Sequence, residues 1–98
     1  MKTKQRFEDA FNALKVMGVP VYVHPDDRAP RFSIDAEDAD AAEWVSMYHS
    51  DPEWLFGVHP AVQSLLNRFD LFCEWVNAGR LSVYDNALEP PIIERNEP

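Results

Sequence analysis

The chain predicts an α+β fold, three helices packed on a small, mainly antiparallel sheet, and three observations carry that expectation. Phe7, Ala10, Phe11, Leu14 and Met17 recur at helical spacing, as one apolar stripe. Val62, Leu65, Leu66, Phe69, Phe72, Cys73 and Val76 form a second, longer stripe of the same kind. Between the two, Val19, Val21 and Val23 alternate with Pro20, Tyr22 and His24, a β-branched run at period two. The expected order is α-β-β-α-(short turn)-α-β.

Ninety-eight residues make one domain with one core. A hydrophobic fraction of 46% with 12% aromatics is that of a folded chain. The domain is expected over residues 1–84. Residues 85–98, with Pro90, Pro91 and Pro98, read as an extended, acidic, proline-rich tail.

The first helix takes Thr3 as its N-cap and Gly18 as its stop. Lys2, Lys4 and Arg6 stand in its first turn, against the helix dipole, as an exposed terminus or a small basic patch. A hairpin follows, its turn supplied by Pro25–Pro30 (PDDRAP) and its second strand by Arg31–Ile34. Prolines 20, 25 and 30 suit strand ends and edges.

A second helix is expected to start at Asp35 or Asp38 and run toward Ser50. Ala41, Trp44, Val45 and Tyr48 would face the core, with Asp40 and Glu43 on the opposite side. Asp51 and Pro52 then open a single helical turn, and Trp54, Leu55 and Phe56 form an apolar plug that closes the core. The last and longest helix is expected from Pro60 to about Ala78, stopped by Gly79. It leaves Leu71 and Trp75 off its stripe, free to meet a second element or chain. Arg80–Tyr84 is the third strand. Cys73, inside the stripe, reads as a buried, inert thiol.

Charge is the most informative property of the chain. Nine basic and 17 acidic residues give a net charge of −8, which disfavours nucleic acid as a direct partner and favours a basic protein. From Asp26 to Glu53 there are nine acids and two arginines, so −7 of the −8 lies there. Five carboxylates, Asp35, Glu37, Asp38, Asp40 and Glu43, fall within nine residues. Capping a helix needs one or two, and neighbouring like charges repel. That excess points to partner binding, with Asp26 and Asp27 as the rim of the same face.

Catalytic patterns are absent. His24, His49 and His59 show no helical ligand pair, and there is no HEXXH, CXXC, GXSXG or phosphate-binding glycine loop. A three-dimensional metal site, such as His24 and His49 with Asp35, is the alternative that spacing alone leaves open. No catalytic residue, metal or cofactor is assigned, and the expectation is a protein that is not an enzyme. One cysteine makes no internal disulfide, and no apolar run approaches a membrane span. The expected location is therefore the cytoplasm, with no membrane partner.

Three function classes follow: an inhibitor whose carboxylates occupy a basic nucleic-acid groove, an acidic immunity- or antitoxin-like partner of another basic protein, and a hydrolase or other small enzyme whose site the sequence does not display. The run Phe32–Trp44 (FSIDAEDADAAEW) resembles the strand-then-acidic-helix passage of some small acidic anti-CRISPR proteins of phages. Ile34 to Asp40 is similar to the acidic run of a DNA-mimicking type within that group, directed at type I systems. The resemblance covers about a tenth of the chain and carries over Asp35, Glu37, Asp38 and Asp40 only. It implies a stoichiometric inhibitor in the bacterial host cell that binds a CRISPR surveillance complex and blocks target DNA.

Overall fold

The computed structural model describes residues 3–87, a four-stranded antiparallel sheet with two α-helices. Helix α1 spans Thr3–Met17 and buries Phe7, Ala10 and Leu14, the stripe its spacing predicts. It closes with a Schellman motif: Val19 N–H donates to Leu14 C=O (3.0 Å) and Gly18 N–H to Lys15 C=O (3.1 Å). Gly18 has φ +98°, the left-handed conformation this closure requires. Arg6 is not part of a free basic patch. Its guanidinium pairs with Asp85 and donates to the Phe69 carbonyl (3.0 Å), stitching α1 to the far end of the chain.

Strand β1, Val21–Tyr22, pairs with β2, Ser33–Asp35, in the expected hairpin, with Val21 opposite Ile34. Strand β4, Arg80–Asp85, lies beside β2, and β3, Leu71–Asn77, lies beside β4. The sheet order is β1-β2-β4-β3. One face carries Ile34, Leu71, Leu81 and Val83, all buried, and with α1 and helix α2 (Pro60–Arg68) it forms the core.

Three expectations are corrected. The acidic helix does not form. Asp35 ends β2, residues 36–40 are turns, and only a 3-10 turn at Ala41–Glu43 is helical. Aspartate side chains compete here with the helical ladder: Asp35 Oδ1 accepts from Glu37 N–H and Asp38 Oδ1 from Asp40 N–H, both at 2.9 Å. The chain beyond is then held extended against residues 57–59, through a Val45–Val58 bridge and a hydrogen bond from His59 N–H to Trp44 C=O (2.8 Å). Tyr48, expected in the core, is 83% exposed.

The apolar plug is also turned outward. Leu55 and Phe56 are 56% and 76% exposed. Phe56 and Gly57 both have positive φ, and a side chain at Gly57 would overlap the Ser46 carbonyl. That glycine seats the turn on residue 46, and the two preceding side chains are left in solvent. Where Asp51 and Pro52 predicted a single helical turn, the chain makes a tight turn and then the 3-10 turn Leu55–Gly57.

The longest helix stops ten residues early. After Arg68, Asp70 takes φ +57° and the chain reverses into β3. Residues 71–77 (LFCEWVN) are a short apolar run, rich in aromatics and interrupted only by Glu74, of strand length. Short apolar runs fit either period, and Gly79, read as a helix stop, is the hairpin turn between β3 and β4. Leu71 is therefore core and fully buried, not a spare contact. The tail expected over residues 85–98 begins inside β4, since Asp85 is its last residue; residues 88–98 lie outside those described. Among the described residues no helix is long and apolar enough to cross a membrane.

Candidate functional site

The acids of Asp26–Glu43 separate into two kinds once their surroundings are known. Asp27 belongs to the fold. Its side chain is 1% exposed and lies under the outer face of the sheet. Asp27 Oδ2 accepts from His24 N–H (2.9 Å) and the Ser33 hydroxyl (2.8 Å); Oδ1 accepts from the Ser82 hydroxyl (3.0 Å) and Arg80 Nη2 (3.2 Å). Ser33 and Ser82 stand opposite each other on β2 and β4, so this one carboxylate clamps both strands to the hairpin loop. Burial pushes its carboxyl up, but those four donors outweigh burial and hold it below the usual range. Asp27 is thus committed internally. Its neighbour Asp26 is 79% exposed and sits 4.0 Å from Arg80 at the rim.

The other five carboxylates form a loop at one end of the sheet. Asp35 is half-buried and lies opposite Arg80 in the strand register. Glu37, Asp38, Asp40 and Glu43 are exposed. The loop is held by its backbone rather than by ion pairs. Ala36 N–H donates to Gly79 C=O (2.9 Å), Glu37 lies across Gly79, and Ala41 is fully buried beneath the loop. Ala41 N–H in turn donates to Asp38 C=O (3.0 Å). Among the described residues no lysine or arginine pairs with Glu37, Asp38, Asp40 or Glu43. Their spacing is that of a tight loop followed by one 3-10 turn, which replaces the helix-face arrangement expected from the sequence.

The metal alternative is not assembled. Among the described residues no group of three or more His, Cys, Asp or Glu is placed to hold an ion. The histidines instead share a backbone role. In each case Nδ1 accepts an N–H two residues on: His24 from Asp26 (3.0 Å), His49 from Asp51 (3.2 Å) and His59 from Ala61 (2.9 Å). His59 thereby caps α2. His49 also stacks on Trp54, with ring centroids 3.8 Å apart.

Sequence reasoning missed an apolar hollow beside β3, of about 660 Å³, whose lining includes Leu55, Phe56, Leu66, Cys73 and Trp75. The indole N–H of Trp75 donates to the Phe56 carbonyl (2.6 Å) and ties the outward turn to the sheet. The signal for it was the run of three large apolar residues at 54–56 directly before a glycine, which a tight turn can expose. Cys73 is half-buried in this lining, and burial, with Glu74 beside it, pushes the thiol up to about 12. Such a thiol is a poor nucleophile at neutral pH. The chain matches no protein-family model, no curated protein and no solved structure.

Proposed function

We propose that this protein is a non-enzymatic, stoichiometric inhibitor that offers the Asp35–Glu43 loop to a basic nucleic-acid-binding site on another protein. The observation that carries the reading is the loop itself: four exposed carboxylates without cationic partners among the described residues, on a backbone already fixed by Asx turns and by the buried Ala41. A pre-ordered acidic loop binds without first losing chain entropy. Its carboxylates take the place of phosphates opposite Lys and Arg, which engage both groups through the same charge-assisted hydrogen bonds. The binding centre is Asp35, Glu37, Asp38, Asp40 and Glu43, with Asp26 as rim. Asp27 acts only by holding the hairpin loop.

The resemblance of residues 32–44 to acidic anti-CRISPR proteins makes a type I CRISPR surveillance complex the first partner to test. The protein is incubated with purified type I complexes, and target-DNA binding is measured across a salt series. The reading expects DNA binding to be lost at low salt and restored as salt rises. Intact DNA binding at excess protein rejects this partner. An acidic immunity- or antitoxin-like role toward another basic protein then takes its place.

A further inference from the structure

Strand β3 borders the sheet, with β4 as its one strand neighbour among the described residues. Alternate residues of such a strand point backbone N–H and C=O away from the neighbour, a template for one more strand. The register break lies between Trp75 and Asn77, so Leu71–Trp75 remains a regular run. Beside this run lies the apolar hollow of about 660 Å³, within the size range of ligand sites. A second hollow, of about 440 Å³, shares Leu55, Phe56 and Trp75 with it and adds Asp51. The exposed side chains of Leu55 and Phe56 therefore line both depressions, on a turn tied down by the Trp75 indole.

A strand edge that carries no further strand among the described residues, next to an apolar hollow, fits an extended peptide, whose backbone uses the edge while every second side chain enters the hollow. A small apolar ligand would leave the edge groups unused. A second copy of the chain carries the same net charge of −8, which opposes self-pairing. Asp51 in the lining and exposed Asp70 at the start of β3 favour a cationic peptide. We propose that β3 takes, by strand addition along Leu71–Trp75, an extended segment of another protein with alternating apolar residues and at least one lysine or arginine. The apolar residues seat against Leu55, Phe56 and Trp75, and the cation reaches Asp51. None of the acids of the Asp35–Glu43 loop lines either hollow, so this surface is independent of the acidic reading.

The test pans a displayed library of random twelve-residue peptides on the full chain, with counter-selection on the Phe56→Ser variant. An enriched peptide is then synthesised with and without backbone N-methyl groups at alternate positions. Phe56 is exposed, so its replacement leaves the fold intact. The expected result is an alternating apolar and basic motif. Its amide shifts fall on Leu71–Trp75 and on the Trp75 indole, and both Phe56→Ser and N-methylation weaken binding at least tenfold. Four results overturn the proposal: no enriched motif, equal binding to Phe56→Ser, indifference to N-methylation, or shifts confined to residues 35–43. Dodecanoate, tested alongside, overturns it in favour of a small-molecule site if it alone perturbs the hollow.

Discussion

Asp26 and Asp27 are adjacent and chemically identical, yet their replacement by alanine has very unequal consequences. Asp27 is 1% exposed and Arg80 12% exposed at the side chain, so Asp27→Ala strands a buried guanidinium. Removing one partner of a buried pair costs roughly 3–5 kcal/mol. Arg80 keeps the Ser33 hydroxyl at 3.1 Å and the Asp26 carboxylate at 4.0 Å, which brings the value toward the lower end. Ser33 and Ser82 lose their strongest acceptor but stand 3.5 Å from each other. They add roughly 1 kcal/mol between them. The expected loss for Asp27→Ala is thus about 4 kcal/mol, a large part of the stability of a small domain. Asp26→Ala, at an exposed site, changes stability by no more than about 0.5 kcal/mol. Urea denaturation followed by tryptophan fluorescence measures both. Asp27→Asn, which keeps the shape and one acceptor, gives an intermediate value if the alanine variant is unfolded in water. A loss below about 1 kcal/mol for Asp27→Ala would refute the clamp.

Three further outcomes follow from the same contacts. The Asp85 carboxyl, pushed up by burial but held low overall by Arg6, by Ala87 N–H and by Thr3, is depressed in the folded state, as is that of Asp27. Groups of this kind stabilise fully above their unfolded pKa of about 3.9 and lose that contribution as pH falls through their lower folded values. The denaturation midpoint should therefore fall steeply below about pH 4, and Asp27→Asn should flatten that fall. Cys73, with its thiol at about 12, should react with iodoacetamide about 100-fold more slowly than a free thiol at pH 7.5. Thiolate is scarcer by about 10³, and higher intrinsic nucleophilicity recovers part of that. Gly57→Ala places a methyl on the Ser46 carbonyl at φ +77° and should cost roughly 3 kcal/mol by denaturation, whereas Gly18→Ala meets open space and costs only the positive-φ strain of about 1 kcal/mol.

Several elements were legible in the sequence because one signal dominated each. Helix α1 has an unbroken stripe and a terminating glycine, and the β4 strand differs from its expected span by a single residue. Pro60 and the stripe through Phe69 placed the start of α2. Its end was misread because Phe72, Cys73 and Val76 continue a helical spacing, while the same residues with Leu71 and Trp75 also satisfy a strand. Pairing with β4 decides between the two periods. The acidic helix failed for the opposite reason. Aspartates that favour a helix start also favour turns, and with Asp35, Asp38 and Asp40 within six residues the turns win. At the candidate site, the sequence located the charge but could not tell Asp26 from Asp27. Only the positions of Ser33, Ser82 and Arg80 separate them.

The acidic loop is tested most directly by titrating a purified type I surveillance complex with the wild-type protein and with Asp40→Lys combined with Glu43→Lys. Both positions are exposed, so the fold should be unchanged, as shown by an unaltered denaturation midpoint. Reversing two charges against a basic surface should weaken binding on the order of 100-fold, with a shallower salt dependence for what remains. Wild-type affinity in the double variant, with its fold intact, would contradict the account.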